Sequence, residues 1–261
     1  MLKSTRLGSW LLAALLLGLW EVLAVVQGWS LLVLPPPSRI AQSLWQGLAS
    51  GFLWPHVVVT LFEMLAGLAL GCVMGVVGGV LLGEFPRWRD VLMPYVVVSQ
   101  VVPKLALVPL FIMWLGFGWW PTVVVTALIC FFPLLENTIT ALQQVDAQQQ
   151  ELFRLLRASR WQTLWRLKLP AGLPTILAGF RVAVVLSLVG AVVGEFMGAG
   201  KGLGALIIAA QGSMDTPLMF AVLVLITLMG WGVYQAAVQC ERGLLRRLAL
   251  PVRASVQDLS V

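Results

Sequence analysis

Long apolar runs alternate with short polar breaks along this chain. A helix needs about 20 apolar residues to cross the roughly 30 Å of hydrocarbon in a bilayer. Runs of this kind lie at about residues 9–26, 57–83, 91–115, 121–143, 174–197 and 217–239. The pattern predicts an all-α integral membrane protein, with about six transmembrane helices in a single domain, residues 1–261. The first run is expected to be a retained span rather than a secretory signal, because no small-residue cleavage site follows it.

A polar and basic segment, residues 146–170, separates the fourth run from the fifth. Asp146 and Ser159 each stand three residues before a glutamine. This spacing is typical of a helix start, because the short side chain caps the first turn. The segment is therefore predicted to hold two short helices in tandem, and Pro170 is expected to end the second.

The second of these helices is amphipathic. Trp161, Leu164 and Trp165 fall on one face at positions i, i+3 and i+4, while the basic residues of the helix face elsewhere. A short amphipathic helix between membrane spans needs a surface to cover its apolar face. The pattern predicts that this helix docks on another protein.

A proline-rich break, residues 34–38, follows the first run and cannot continue a helix. Ser38 is expected to cap a short helix after the break. The apolar side of that helix would carry Ile40, Leu44, Trp45 and Leu48. This pattern predicts a short helix that lies flat on the outer face of the membrane that the chain spans.

The second run carries five glycines at strict four-residue spacing. They are Gly67, Gly71, Gly75, Gly79 and Gly83. Such a stripe exposes the backbone along one helix face and lets another helix approach closely. Two interpretations stay open: the stripe packs within this subunit, or it faces a second copy or a moving contact.

Composition and charge agree with a membrane protein. Hydrophobic residues make up 60% of the chain and charged residues 11%, a balance that excludes an ordinary soluble domain. With six spans and an inside N-terminus, the inside holds Lys3, Arg6, Arg87, Arg89, Arg154, Arg157, Arg160, Arg166, Lys168, Arg242, Arg246, Arg247 and Arg253. Only Arg39 and Lys201 lie outside. The positive-inside rule thus places both termini and the 146–170 loop in the cytoplasm, and the net charge of +6 reflects topology rather than nucleic-acid binding.

The sequence offers no catalytic or metal-binding pattern. The three cysteines have no close cysteine or histidine partner, which argues against a disulfide framework or a zinc site. The glycine-rich stretch 198–204 departs from a phosphate-binding loop, which needs glycine in place of Glu195 and serine or threonine in place of Gly202. The single histidine, His56, lies at the outer edge of the second run, which disfavours an intramembrane enzyme. We expect no enzyme activity, metal or nucleotide cofactor in this chain.

Six ionisable residues fall in or near the predicted spans. They are Glu21, Glu63, Lys104, Glu136, Arg181 and Glu195. A charge at the centre of a membrane helix costs about 2.5–3.5 kcal/mol on translocon scales, so each is expected to be paired, to face a water-filled cavity or to snorkel. Glu21, Glu63 and Glu136 are interpreted first as structural or dimer-contact carboxylates.

Lys104 is the leading candidate for a translocation path. Pro103 and Pro109 flank it, and broken helix at membrane depth is tolerated mainly where it lines a cavity or is buried in protein. A cation beside a broken helix suits the passage of small anions. The alternative is that Lys104 forms an ion pair with Glu136 or Glu195.

The other candidates for the translocation path are Glu136, Asn137, Arg181 and Glu195. Arg181 would either snorkel to the cytoplasmic headgroups or line an inner vestibule. Asn137, next to Glu136, offers neutral hydrogen bonds at the inner end of the fourth run, where bonding between helices is the competing role. Glu195 ends the fifth run, where a carboxylate in interfacial water is one interpretation.

The spacing within residues 146–170 resembles the cytoplasmic EAA loop of the permease subunits of binding-protein-dependent ABC importers. The positions of that motif are occupied here by Glu151, Arg157, Leu167, Leu169 and Pro170. The spacing matches in full and the identities in part, because Leu152 and Phe153 replace two alanines and Arg157 replaces a glycine.

Further stretches resemble the branch of this family that carries nitrate, taurine and alkanesulfonates. They lie at residues 20–21, 34–38, 103–107, 109–111, 131–133, 137–138, 158–163, 165–166, 194–196 and 202–204. Similar permeases carry thiamine-pyrimidine precursors, so the resemblance implies a small anion as solute and leaves a heterocycle as the alternative. An ion-coupled secondary transporter would also explain the buried carboxylates, but it leaves the amphipathic loop without a purpose, and no inverted repeat is apparent.

The resemblance implies the type I ABC importer permease fold and transport by alternating access in the bacterial cytoplasmic (inner) membrane. A homodimer would carry two ABC ATPase subunits, which would bind ATP and Mg²⁺, and would receive solute from an external substrate-binding protein. The ATPase-docking residues would be Glu151, Arg157, Ser159, Arg160, Trp161, Leu164, Trp165 and Pro170. Glu195 would lie near the outer gate.

The replacement of the motif's glycine by Arg157 leads to a specific structural prediction. A residue other than glycine at a left-handed helix C-cap costs about 1–2 kcal/mol. Either Arg157 adopts that backbone conformation, or the two helices of the loop join by a different turn.

Overall fold

Every regular element in the described part of the protein is a helix. The computed structural model describes residues 2–26, 32–198 and 200–248, without the side chains of residues 2–7, 9 and 10. The basic side chains of Lys3, Arg6 and Arg253, which the predicted charge asymmetry includes, lie outside this description. The helices are α1 (Leu2–Val26), α2 (Pro37–Ala49), α3 (Trp54–Glu84), α4 (Pro86–Val101), α5 (Val108–Leu115), α6 (Trp119–Gln143), α7 (Ala147–Leu155), α8 (Arg160–Thr163), α9 (Leu169–Gly198), α10 (Leu203–Gly212) and α11 (Thr216–Arg247). A 3₁₀ turn, Lys104–Leu107, precedes α5, and a π-helical turn, Leu164–Lys168, precedes α9.

Four helical stretches are long and apolar enough to cross a membrane. They are Trp54–Glu84, Trp119–Gln143, Arg160–Gly198 and Thr216–Arg247. Pro86–Val101 together with Lys104–Leu115 makes a fifth if a pair bent by 80° counts as one broken span. Helix α1 is 25 residues long, and the part of it described with all its side chains, Leu11–Val26, is apolar. The described residues thus hold four or five such spans, where the sequence predicts about six.

The third predicted span, residues 91–115, is broken rather than straight. Val102 ends α4 with an extended backbone, at ψ 122°, and Pro103 follows it. Proline disfavours the helical conformation in the residue before it and has no N–H for the helical ladder. The chain therefore turns at this point and re-enters helix through the 3₁₀ turn that begins at Lys104.

The glycine stripe of α3 packs against α6 within this subunit. A Cβ atom added at Gly67, Gly71, Gly75, Gly79 or Gly83 would lie 2.5–2.7 Å from an atom of α6. Contacts advance in the same direction along both helices, from Gly67 beside Thr126 to Gly83 beside Leu142. The interpretation of the stripe as internal packing is confirmed, and the stripe does not face a second copy.

Helix α6 is the centre of the bundle, with α3 on one side and α9 on the other. Gly172 of α9 lies beside Ala141 and Gly194 beside Thr122, so α9 runs antiparallel to α6. This gives the bundle two ends. The loop end holds the C-termini of α3 and α6 with residues 146–168, and the far end holds α2, α10 and the N-termini of α3 and α6.

Glu21 of α1 caps the short helix α2. Its carboxylate accepts hydrogen bonds from the backbone N–H of Ser38 at 2.9 Å and from the Ser38 hydroxyl at 2.7 Å. A negative charge at a helix N-terminus is favourable, because the free N–H groups there carry partial positive charge. The predicted short helix exists, but it begins at Pro37 without a side-chain cap of its own, so the predicted capping role of Ser38 is corrected.

Candidate functional site

The two predicted helices at the loop end are present and capped. The Asp146 side chain accepts the backbone N–H of Gln148 at 2.7 Å and begins α7. The Ser159 hydroxyl accepts the N–H of Gln162 at 3.2 Å, while the Gln162 side chain accepts the Ser159 N–H at 2.8 Å. The second helix start is therefore a complete capping box, whereas the first is capped by the aspartate alone.

Arg157 adopts the strained, left-handed backbone conformation. Its φ is +54°, and its N–H donates to the carbonyl of Arg154 while the N–H of Ala158 donates to the carbonyl of Phe153. These two bonds form the Schellman ending of a helix, which favours glycine at the left-handed position. Of the two alternatives that the sequence left open, the structure has the left-handed cap at Arg157 rather than a different turn, and the cap fixes the angle between α7 and α8.

Pro170 does not end the second helix. The chain stays helical from Arg160 to Gly198, a stretch of 39 residues, and the N–H of Leu169 bonds to the carbonyl of Leu164 in the wider π-helical spacing. A proline in a helix forfeits one hydrogen bond and crowds the carbonyl four residues before it. The wider turn directly before Pro170 relieves that crowding, so the predicted stop is wrong and the loop is rigidly joined to α9.

Five large apolar side chains are exposed at the loop end. We call this set the loop surface: Leu152, Leu155, Leu156, Trp161 and Trp165. Trp161 and Trp165 are 62% and 66% exposed, and they stand four residues apart on one continuous helical stretch.

Leu164 does not belong to the loop surface, although the sequence predicts it there. Its side chain is 2% exposed and faces a cleft beside Leu81 and Phe85 at the end of α3. Trp161 lines the same cleft but is 62% exposed, and a π-helical turn, which changes the angle between successive residues, begins at Leu164. Leu164 thus anchors the loop to the bundle.

A polar cleft of about 490 Å³ lies beside the loop surface. Its polar lining is formed by Glu84, Gln150, Glu151, Arg154, Arg160 and Lys168. Lys168 Nζ lies 2.6 Å from Glu84 Oε1, with both side chains largely buried, whereas Glu151 and Arg154 form an exposed pair at 3.5 Å. The Lys168–Glu84 pair ties the loop to the end of α3, a contact that the sequence alone does not reveal because the partners are 84 residues apart.

Lys104 lies half-buried in the 3₁₀ turn after the break. The structure shows no ion pair from Lys104 to Glu136 or to Glu195, all three of which are described. The alternative interpretation of Lys104 as a paired lysine is therefore not supported. Glu136 is exposed on α6.

Arg181 is paired inside the bundle rather than extended toward headgroups. Its Nε lies 3.1 Å from Glu241 Oε2, with the two side chains 19% and 8% exposed. Glu241 lies beyond the sixth predicted run, which ends at residue 239, whereas α11 continues to Arg247. The pair joins α9 to α11, so the predicted headgroup contact of Arg181 is not made, whereas its role as a lining of an inner vestibule stays a prediction.

Asn137 has a structural role in α6. Its side-chain amide donates to the carbonyl of Pro133 at 2.7 Å, and its Cβ packs where α9 has Gly179. The amide group thus bonds within its own helix, while the side chain fills the α6–α9 contact.

A polar cluster at the far end holds α10 against α3 and α9. We call it the far-end cluster: His56, Thr60, Glu63, Glu195 and the backbone of residues 202–204. The N–H of Leu203 donates to Thr60 Oγ1 at 2.8 Å, and the N–H of Gly204 donates to Glu195 Oε2. His56 Nδ1 lies 2.9 Å from the Gly202 carbonyl oxygen. The first N–H groups of α10 are therefore bound by side chains of two other helices.

Glu195 is 1% exposed, so the interpretation of this residue as a carboxylate in interfacial water is wrong. Its side chain lies against Gly202 and Gly204, where a Cβ atom would collide with it. Glu63 of α3, also 1% exposed, completes the cluster. Its partnership with Glu195 was missed, because no local pattern links residues that far apart in the chain.

Comparison with known proteins gives consistent matches. The family of binding-protein-dependent transport system inner membrane components matches residues 67–237. The riboflavin transport system permease protein RibX of Chloroflexus aurantiacus is 37% identical, over 89% of this chain and 87% of that protein. The formylaminopyrimidine transport permease protein ThiX of Halalkalibacterium halodurans is 36% identical, over 83% and 86%. The putative aliphatic sulfonates transport permease protein SsuC of Bacillus subtilis is 33% identical, over 84% and 80%.

Among solved structures, a chain of the MetNI methionine ABC transporter in inward-facing conformations matches with a TM-score of 0.66. The match covers 73% of this chain and 95% of that chain, at 20% identity. At this identity the likeness concerns the fold alone.

Proposed function

Because this chain belongs to the binding-protein-dependent transport system inner membrane components, the permease subunits of ABC importers, we propose that the ATPase subunit of such an importer binds its loop surface. The family resemblance predicted from the motifs is confirmed, and so is the type I ABC importer permease fold. The chain is a membrane transport component rather than an enzyme, of a family that works with ATPase subunits and a substrate-binding protein.

One observation carries the proposal: the exposed apolar side chains lie on an otherwise polar segment between two spans. Water would cover Trp161 and Trp165 in the free chain, where they are 62% and 66% exposed. Buried tryptophans are frequent energetic anchors of protein interfaces. A groove on the ATPase that accepts these two side chains would remove both from water, and the charged cleft beside them would supply the polar rim.

The loop is built to transmit force to the far end. One continuous helical stretch runs from Arg160 to Gly198, and at 1.5 Å per residue it is about 58 Å long. The buried Lys168–Glu84 pair adds a second connection, from the loop to α3. Movement of the ATPase subunits would thus shift α3 and α9 together and reach the far-end cluster, as alternating access by rigid-body motion requires.

Orientation and assembly complete the proposal. The loop surface and both termini lie in the cytoplasm, as the basic residues predict, and the far end faces the external substrate-binding protein. Two ATPase subunits bind ATP and Mg²⁺. A second copy of this chain completes the path, supported by α4, which has no buried residue, and by an apolar groove of about 680 Å³ lined by Leu82, Trp88 and Tyr95 among others.

The solute is a small organic anion of the sulfonate type in the leading version of the proposal. Lys104 supports this version, because it is a half-buried lysine beside a broken helix, without an ion pair to a described carboxylate. A planar heterocycle is the second candidate, favoured by the relatives RibX and ThiX, whose names specify riboflavin and formylaminopyrimidine.

Solute uptake into proteoliposomes tests the proposal. The permease, its ATPase subunit and the external binding protein are reconstituted, and labelled taurine, an alkanesulfonate, riboflavin and formylaminopyrimidine are offered in turn. We expect ATP-dependent uptake of one class. If it is the anions, Lys104→Gln lowers uptake by about tenfold, the equivalent of about 1.4 kcal/mol, whereas Lys104→Arg retains it. Uptake that an ion gradient drives without the ATPase would contradict the proposal and favour a secondary transporter.

A further inference from the structure

The far-end cluster contains two carboxyl groups in contact inside the protein. Glu63 and Glu195 are each 1% exposed, and their side chains are within hydrogen-bonding contact of each other. Glu63 Oε2 and Glu195 Oε1 have no other hydrogen-bond partner among the described residues. An ionised carboxylate only accepts hydrogen bonds, so contact between two carboxyl groups requires a proton on one of them.

The neighbouring groups do not supply a compensating positive charge. Thr60 and Thr122 contact the two carboxyl groups through neutral hydroxyls, and α5 and α10 carry no ionisable residue. His56 is occupied by the backbone of Gly202. Lys201, which directly precedes Gly202 of the cluster, is exposed and forms no described ion pair with either carboxyl group.

The more distant charges, Lys104 among them, form no described ion pair with Glu63 or Glu195. Arg181 of α9 is bound to Glu241 and stands 14 positions before Glu195, which is about 21 Å along a helix. Glu136 of α6 stands 14 positions after Thr122, at a similar distance. Two ionised carboxylates in this setting would repel each other with no cation between them.

We propose that Glu63 and Glu195 bind a single proton between them, and that this proton holds α10 in place at the far end. The inference goes beyond the transport function above and does not depend on which solute crosses. The proton lies between Glu63 Oε2 and Glu195 Oε1, the two atoms that lack another partner. A carboxyl pair of this kind gains or loses its proton as one unit.

The proton affects α10 because α10 is bound to both helices that carry the pair. Its Leu203 N–H donates to Thr60 of α3, and its Gly204 N–H donates to Glu195 of α9. If both carboxyl groups ionise, repulsion separates Glu63 from Glu195, and α10 keeps the bonds to one helix only. Loss of the proton therefore loosens α10, and its return restores the closed cluster.

The proton has a route to the pair. Glu63 lines a half-open cavity of about 380 Å³ together with Phe62, Trp119 and Lys201 at the far end. Water in that cavity reaches the edge of the cluster. The occupancy of the pair therefore follows the pH on the far side of the membrane, which is the outer side if the proposed orientation holds.

Infrared spectroscopy and hydrogen exchange of the full chain in lipid nanodiscs test the inference. The wild-type protein is expected to show the carbonyl band of one protonated carboxyl group at neutral pH, which disappears as the pH is raised. Over the same range, backbone exchange in α10 should rise by about tenfold more than in α6, since local opening sets the exchange rate.

Glu63→Gln and Glu195→Gln replace the shared proton by a permanent amide N–H, which donates to the remaining carboxylate. Each variant is expected to lose the band and to keep α10 exchange parallel to α6 at all pH values. Glu136→Gln, which removes an exposed carboxyl group of α6, serves as the control and should leave both readouts unchanged.

Three results would overturn the inference. They are the absence of a protonated-carboxyl band in the wild-type protein at neutral pH, a band that survives both glutamine substitutions, and α10 exchange that follows added Na⁺ rather than pH. If the variants fail to fold, the wild-type band and its coincidence with α10 exchange still decide the question.

Discussion

Replacing Trp161 and Trp165 together by alanine is expected to release the ATPase subunit from the membrane complex. Both side chains are mostly exposed in the permease, so their removal leaves the bundle intact. An aromatic anchor of an interface contributes about 2 kcal/mol or more, which is about 30-fold in Kd. We expect the double variant to bind the ATPase at least about 100-fold more weakly, measured by co-purification and by ATP hydrolysis of the complex.

The matched control removes two tryptophans at the far end. Trp45 and Trp54 are 72% and 56% exposed, and the double replacement Trp45→Ala with Trp54→Ala should retain the ATPase fully. The thermal unfolding temperature of the Trp161/Trp165 variant should equal that of the wild-type protein. Retention of the ATPase by that variant at wild-type yield would show that the loop surface is not its binding site.

Gly75→Leu is expected to destabilise the bundle strongly. A Cβ atom at this position would lie 2.6 Å from the carbonyl oxygen of Phe131 and 2.7 Å from Leu134 Cβ, which belong to α6. A backbone carbonyl cannot move aside as a flexible side chain can, so α3 must separate from α6. Overpacking costs about 1–3 kcal/mol and sometimes more, and we expect a loss at the upper end, measured as the free energy of unfolding in detergent.

Gly232→Leu on α11 is the control for this prediction, because a Cβ atom at Gly232 meets nothing within 4 Å. That variant should be as stable as the wild-type protein and elute as a single species. If Gly75→Leu behaved in the same way, the close α3–α6 contact would not exist in the membrane.

Features that depend on neighbouring residues were predictable from the sequence. The caps at Asp146 and Ser159 bond to residues two and three positions away, and the glycine stripe repeats with the helical period. The left-handed conformation of Arg157 after α7 was one of two alternatives that the sequence left open. In each case the determining contacts lie within one or two turns, or along one face of a single helix.

Features that depend on how helices meet were not predictable. Leu164 is buried whereas Trp161, which lines the same cleft, is exposed, and a π-helical turn begins at Leu164, shortly before the proline at position 170. The partners Arg181 and Glu241, like Lys168 and Glu84, are brought together by the packing of separate helices. A single sequence shows which residues are charged, but it does not show which of them form ion pairs.

The number of membrane spans was likewise not predictable from hydropathy alone. Hydropathy alone treats residues 91–115 as one run, whereas Pro103 divides it into helices bent by 80°. Within α1, Glu21 binds the first turn of α2, which the apolar run around it does not indicate. An apolar run thus predicts a helix in a membrane more securely than it predicts a crossing.

Photo-cross-linking from the loop surface is the most direct test of the central claim, that the ATPase subunit binds where Trp161 and Trp165 are exposed. A photo-reactive aromatic residue is placed at Trp165 or, as control, at Trp45 on the far end, in membranes that contain the assembled transporter. The proposed function predicts a covalent adduct with the ATPase subunit from position 165 and none from position 45. No ATPase adduct from position 165, or an equal yield from position 45, would contradict it.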